Sequence, residues 1–173
     1  MRLEASQVIF GRSGSGNRNV ISIALSTAIG ASREVVWRAL TEPSEVIRWD
    51  ERIQESLGPI EEYPSVGACA RWRYRLGNVP VVLEERPTLV DAPERLDVDI
   101  YLGLFRFSVY YGIGREEPDR CKLLVKLATE HSVPVVGGAL DRFDVRRSAA
   151  EFLDVRLRAL QKWCKNHPGA ALE

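Results

Sequence analysis

The residues of this chain that could do chemistry are polar side chains set into apolar patterns. Glu85 follows Val81 and Leu83 at alternate positions, so an unbroken strand places its carboxylate on the apolar face. A buried, unpaired carboxylate is costly, so burial predicts either a raised pKa or a cation beside it. The alternative is a bulge at Glu84 and Glu85 that turns the carboxylate outward.

Two arginines are the candidate cations for such a carboxylate. Arg142 and Arg146 lie four residues apart on a helical arc otherwise filled by Ala149 and Leu153, so helix geometry directs both toward the core. One of them could pair with Glu85, or with the carboxylate or phenolate of a ligand. The alternative is that both lie at the helix entrance and extend to water.

Aromatic and imidazole side chains share the apolar parity of the strands. Trp72, Tyr74 and Tyr111 are expected on the inner face as core residues, where a buried tyrosine hydroxyl needs a partner that a ligand can supply. His131 ends the last strand on the same parity. It is either a structural histidine or a general base.

Motifs of other chemistries are missing from the sequence. The three cysteines, Cys69, Cys121 and Cys164, are odd in number and far apart, which argues against a disulfide framework and against a zinc site. The two histidines offer no metal-ligand spacing, and no nucleophile elbow or phosphate-binding loop occurs. We therefore expect no cofactor and no bound metal.

Length and charge narrow the class of protein. The 173 residues suit one domain, and 24 lysines and arginines balance 24 aspartates and glutamates. This balance does not favour nucleic acid or an anionic membrane as a partner. No apolar run approaches the roughly 18 residues of a membrane-spanning helix. The N-terminus lacks the apolar region of a signal peptide, so we expect a cytoplasmic protein without integral membrane association.

The elements that must position these residues follow from periodicity and turn signals. A flexible tail is expected over 1–19, a single domain over 20–166 and a C-terminal tail over 167–173. Strands are predicted at 20–29, 52–59, 68–76, 79–90, 95–102, 105–113 and 122–131, and helices at 33–40, 45–49 and about 139–165. Short connections and one-sided alternation predict an antiparallel sheet.

This order of elements resembles the START/Bet v 1-like superfamily, also called SRPBCC. Residues 34–43, EVVWRALTEP, look like the first helix of its polyketide cyclase/dehydrase-like members, and residues 48–50, RWD, look like the end of the second helix. The resemblance implies an α+β helix-grip fold. A seven-stranded, curved antiparallel sheet would wrap around a long C-terminal helix, with two short helices after the first strand. Trp49 would then lie near the mouth of an internal cavity.

The superfamily includes lipid and sterol carriers, aromatic cyclases and co-chaperones, so the fold alone does not fix the function. We expect a cavity between the sheet and the C-terminal helix that binds a hydrophobic or amphipathic small molecule, such as a lipid, a sterol or an aromatic polyketide. The residues expected to line it are Trp49, Trp72, Tyr74, Glu85, Tyr111, His131, Arg142 and Arg146.

Two alternatives stay open. The first is a polyketide aromatase/cyclase or dehydratase that uses the same cavity, with Tyr74, Glu85 and Arg146 as catalytic groups. The second is a co-chaperone-like module that binds another protein. The oligomeric state is not predicted.

Overall fold

The computed structural model describes residues 20–103, 105–130 and 142–167, and for residues 20, 21, 130 and 142–148 it describes the backbone alone. The predicted N-terminal tail, His131, and the predicted C-terminal tail beyond His167 lie outside these residues. The elements follow the predicted order. The strands are β1 (Val20–Ile29), β2 (Ile53–Ser56), β3 (Ala70–Leu76), β4 (Val79–Asp91), β5 (Arg95–Leu102), β6 (Phe105–Glu117) and β7 (Arg120–Glu130). The helices are α1 (Arg33–Thr41), α2 (Pro43–Trp49) and α3 (Arg142–Asn166).

One antiparallel sheet contains all seven of these strands, in the order β1-β7-β6-β5-β4-β3-β2. The predicted seven-stranded sheet is therefore confirmed. Two strands differ most in length from their prediction. β2 is shorter, because Gly58 and Pro59 follow it closely and proline cannot donate to a ladder. β6 continues past Ile113, because its ladder with β7 extends to Glu117 through exposed residues without an apolar pattern.

The two short helices are joined at Glu42 and fastened to each other. The side chain of Ser32 accepts a hydrogen bond from the Val35 N–H and so caps the N-terminus of α1. α2 begins at Pro43 rather than after Ser44, because proline is well tolerated at the first helical position. The indole of Trp49 donates to the Ala39 carbonyl at 2.7 Å, which ties the end of α2 to α1.

α3 packs its apolar arc on the inner face of the sheet. The ring of Phe152 stacks on Phe107 at 6.4 Å between centroids and tilts against Tyr74 at 6.1 Å. Phe105 stacks on Phe107 at 6.3 Å and continues the row. Gln161 donates to the Ala28 carbonyl at 2.9 Å, which holds α3 against the free edge of β1. Sheet and helix thus enclose one apolar interior.

Arginines on the outer face of the sheet form ion pairs with carboxylates. Arg71 lies 3.2 Å from Glu84, and Arg106 lies 2.7 Å from Asp99. Cross-strand pairs of this kind are common on a wet sheet face. Both arginines lie on the solvent-facing side of the sheet.

Candidate functional site

Glu85 lies inside the protein. It is 4% exposed, and the β3–β4 register runs through Glu84 and Glu85 without interruption. The irregularity of β4 lies instead between Pro87 and Leu89 in its pairing with β5. The predicted inward orientation of Glu85 is therefore the one observed, and the bulge at Glu84 and Glu85 is not.

The cation beside Glu85 is Arg156 of α3, a residue that the sequence patterns did not single out. Its Nη1 lies 2.9 Å from Oε1 of Glu85, and Arg156 is 7% exposed. The other carboxylate oxygen, Oε2, accepts a hydrogen bond of 3.1 Å from the indole of Trp72. Both oxygens of Glu85 thus have a donor, which is what a buried carboxylate requires.

A second buried carboxylate, Asp50, faces the same guanidinium from the end of α2. Asp50 is 3% exposed, and its Oδ2 lies 3.1 Å from Nε of Arg156. The alignment is too poor for a hydrogen bond, and neither atom has another hydrogen-bond partner among the described residues. Oδ1 accepts the Arg52 backbone N–H at 3.2 Å. We call Asp50, Glu85 and Arg156 the buried ionic cluster.

Aromatic side chains surround this cluster. The guanidinium carbon of Arg156 lies 5.4 Å from the ring centroid of Trp49 and 5.5 Å from that of Phe152, within cation–π range. The Tyr74 hydroxyl accepts a hydrogen bond of 3.4 Å from Nη1 of Arg52. Tyr111 lines the same small cavity as Arg156. The guanidinium is therefore held between two carboxylates and two ring faces.

The two members of the Asp50–Arg156 pair respond differently to burial. Burial by itself would lower the pKa of Arg156, but Glu85, Tyr111 and Asp50 together raise it well above its ordinary value. Burial raises the pKa of Asp50, and the attraction of Arg156 offsets this only in part. A strong ion pair stabilises the charged forms of both partners and would lower the pKa of the carboxyl group. The pKa of Asp50 is raised instead, so the attraction of Arg156 does not fully offset the cost of burying this carboxylate. Burial also raises the pKa of Tyr111 to about 12, which keeps its hydroxyl protonated.

A small cavity adjoins the buried ionic cluster. Its volume is about 10 Å3, which is room for about one water molecule. Its lining consists of Leu40, Trp49, Tyr111, Leu153, Arg156, Leu157 and Leu160. A larger depression of about 720 Å3 lies on the outer face of the sheet, beside Tyr110 and Lys126. The cavity lined by α3 and the buried charges therefore lie at one place.

Five of the predicted site residues meet in this region: Trp49, Trp72, Tyr74, Glu85 and Tyr111 are all buried. Arg142 and Arg146 lie in the first turns of α3, and their side chains fall outside the described part of the structure, as does His131. Arg156 was missed although it lies four residues after Phe152 and four before Leu160, both on the buried arc.

In the ranges 20–103, 105–130 and 142–167, no group of three or more histidine, cysteine and carboxylate side chains is placed to hold a metal ion. No helix in the same ranges is both long and apolar enough to span a bilayer.

The stability of the protein should depend on pH through Asp50. Because the folded state raises its pKa above the ordinary 3.8, the contribution of this group is fully present below that value and is lost as the pH rises through the folded-state pKa. We expect Asp50→Asn to remove this loss. Urea denaturation of the unaltered protein and of Asp50→Asn, from acidic to neutral pH, measures this change in stability. A difference in unfolding free energy that stays constant with pH would contradict the expectation.

Comparison with known proteins identifies the fold. No protein-family model matches the sequence, and no curated protein matches it. Solved structures do match. A START superfamily protein from Mycobacterium smegmatis has a TM-score of 0.67 and 17% identity, covering 84% of this chain and 97% of that one. A protein of unknown function from Staphylococcus aureus has a TM-score of 0.66 and 10% identity, covering 87% of this chain and 96% of that one.

The structure of Ara h 8.0201, a Bet v 1 allergen, has a TM-score of 0.63 and 12% identity, covering 86% of this chain and 99% of that one. The chain therefore has the START/Bet v 1-like helix-grip fold predicted from its sequence. At these identities the likeness shows the fold alone, because one fold hosts several functions.

Proposed function

We propose that this protein binds a hydrophobic or amphipathic small molecule between the sheet and α3, with the buried ionic cluster holding the polar end of that molecule. The observation that supports this most is the cluster itself. Three ionisable side chains, Asp50, Glu85 and Arg156, lie in an otherwise apolar interior, each more than nine-tenths buried.

The energetics of the cluster favour a binding role over a purely structural one. Burying ions costs several kcal/mol per ion, and well-packed apolar residues of similar volume often stabilise a core as well or better. Asp50 Oδ2 and Arg156 Nε, moreover, are buried without a hydrogen bond in the described structure. Such atoms represent unused polar capacity, and a ligand group or a water molecule can satisfy it.

The rest of the lining suits the apolar part of a ligand. Leu40, Leu153, Leu157 and Leu160 contribute aliphatic surface around the cavity. Each Å2 of apolar ligand surface removed from water contributes about 25 cal/mol before the costs of binding.

The cavity must expand to accept such a ligand. Ligand pockets usually measure about 300–1,000 Å3, whereas the cavity beside the buried ionic cluster measures about 10 Å3. Leu153 and Leu157 of α3 fill the space against the sheet. Binding therefore requires α3 or its side chains to move away from the inner face, and the cost of that opening reduces the apparent affinity.

Native mass spectrometry tests the proposal. Protein purified without organic solvent should carry a small molecule that is lost on extraction, and the extracted protein should then take up one dodecanol per chain. If the purified protein carries nothing and the extracted protein takes up no dodecanol even at saturation, the proposal is wrong.

A second candidate function is turnover in the same cavity, as in a polyketide cyclase or dehydratase. The observation that favours it is the carboxylate oxygen of Asp50 that accepts no hydrogen bond, together with the raised pKa of that group, which are features of a general acid–base residue. Asp50→Asn should then abolish turnover of a poly-β-keto thioester even at concentrations at which the variant is saturated with it. Equal turnover by both proteins would exclude this role.

A further inference from the structure

The buried ionic cluster contains more negative than positive charge. One guanidinium, that of Arg156, faces two carboxylates, those of Asp50 and Glu85. Among the described residues, Arg52 is a second cation that acts on Asp50, but it is only partly buried and directs Nη1 to the Tyr74 hydroxyl. Water screens such a partly exposed charge, so it does not cancel the excess in the interior.

The unmet hydrogen-bonding capacity of the cluster consists of one acceptor and one donor. Each oxygen of Glu85 accepts a hydrogen bond, from Arg156 or from Trp72, whereas Oδ2 of Asp50 accepts none and Nε of Arg156 donates none among the described residues. A ligand donor would satisfy Oδ2 without adding negative charge, whereas an anionic acceptor at Nε would add to the charge excess. A ligand carboxylate placed there would bring a third anion to a guanidinium that already has two, and it would leave Oδ2 unsatisfied.

We infer that the polar end of the ligand is a hydrogen-bond donor, a hydroxyl or an amine, and not an acid. This inference rests on the proposed function. It differs from the sequence-based prediction that Arg142 or Arg146 pairs with a ligand's carboxylate or phenolate, which the described side chains do not test. The faces of Trp49 and Phe152, which already border the guanidinium, also suit a donor or cation better than an anion. The raised pKa of Asp50 agrees, because it reflects a carboxylate that lacks compensation.

Three probes of equal chain length test the inference: dodecanol, dodecylamine and dodecanoic acid. Their affinities for the full-length protein are measured at neutral pH by isothermal titration calorimetry, below the concentration at which any of them forms micelles. We expect dodecanol or dodecylamine to bind at least about 10-fold more tightly than dodecanoic acid, which corresponds to one good hydrogen bond and one avoided repulsion. A preference for the amine over the alcohol identifies a cationic head group, and equal affinities identify a neutral donor.

Asp50→Asn supplies the second arm, because it removes the excess charge with little change in shape. We expect it to reduce the preference for the alcohol or the amine over the acid by about 10-fold. Asp97→Asn is the control for lost negative charge, since Asp97 pairs with Arg95 on the outer face and should leave the preference unchanged. Should Asp50→Asn fail to fold, the affinities of the unaltered protein for the three probes still test whether the site prefers a donor to an acid.

The possible results separate the two proposals. Binding of all three probes with the acid as tight as the alcohol or tighter overturns the inference but leaves the proposed function standing. A preference for the alcohol that Asp50→Asn does not change also overturns it. No binding of any probe overturns the proposed function, and the inference with it.

Discussion

Replacing Arg156 with methionine is expected to lower the free energy of unfolding at neutral pH by about 3–5 kcal/mol, the usual cost of breaking a buried ion pair from one side. Methionine fills most of the same volume, so the loss is electrostatic rather than a cavity effect. The variant loses the ion pairs that Arg156 makes with Asp50 and Glu85, so both carboxylates stay buried without them. Urea denaturation at neutral pH measures the change.

Arg158→Met is the matched control. Arg158 lies on the same helix and is exposed, and within the described part of the chain its ion pair is with Asp154, one turn away at 2.9 Å. Losing such a surface pair should change stability by less than about 1 kcal/mol. If Arg156→Met were no more destabilising than Arg158→Met, the cluster would not be the buried, coupled unit described here.

The pH dependence of Arg156→Met is also expected to differ from that of the unaltered protein. Carboxyl groups buried without a cation have raised pKa values, so the folded variant binds their protons more tightly than the unfolded chain does. The loss of unfolding free energy relative to the unaltered protein should therefore become smaller as the pH falls and larger as the pH rises to neutrality. Adding Asp50→Asn and Glu85→Gln to the variant should recover much of the stability at neutral pH, because no buried charge then remains in the cluster.

Replacing Phe152 with alanine is expected to lower the stability of the protein and to increase its affinity for dodecanol. The ring contacts Phe107, Tyr74 and the guanidinium of Arg156, so its loss should cost about 3–5 kcal/mol of unfolding free energy. The same truncation leaves an apolar space beside the cluster. A cavity of this kind can accept an apolar molecule, so dodecanol should bind more tightly to the variant, since less opening is needed.

Phe105→Ala is the control for this pair of readouts. Phe105 stacks on Phe107 at the far end of the aromatic row, is only partly buried, and has no ring contact with Phe152 among those described. We expect a smaller stability loss and no gain in dodecanol affinity. Weaker dodecanol binding to Phe152→Ala than to the unaltered protein would contradict a ligand site beneath α3.

Much of the fold could be predicted from the sequence because it depends on local periodicity. The alternation in β1 and β3 to β7 places each side chain on a known face, and the apolar arc of α3 determines which side meets the sheet. The inward position of Glu85 followed from this parity alone. The bounds of β2 and β6 were less accurate, because their ends carry no apolar pattern.

The buried ionic cluster could not be predicted in the same way. Arg156 and Glu85 are 71 residues apart, and nothing in the local pattern of either residue names the other. Arg142 and Arg146 offered the same helical spacing, and sequence alone does not rank arginines of one helix by burial. The size of the cavity was equally inaccessible, because it depends on how Leu153 and Leu157 pack against the sheet rather than on their identity.

The most direct test of the central claim, that a ligand binds at the buried ionic cluster, uses the four tryptophan indoles as reporters. Titration of 15N-labelled protein with dodecanol, followed by NMR, resolves each indole N–H separately. Trp72 donates to Glu85 and Trp49 lies against Arg156, whereas Trp163 donates to Glu45 away from the cluster. Trp37, in α1, is a second control. We expect the Trp49 and Trp72 signals to shift in a saturable way while those of Trp37 and Trp163 stay nearly constant. Saturable shifts confined to Trp37 or Trp163, or no shift at any indole while dodecanol binds, would contradict the account.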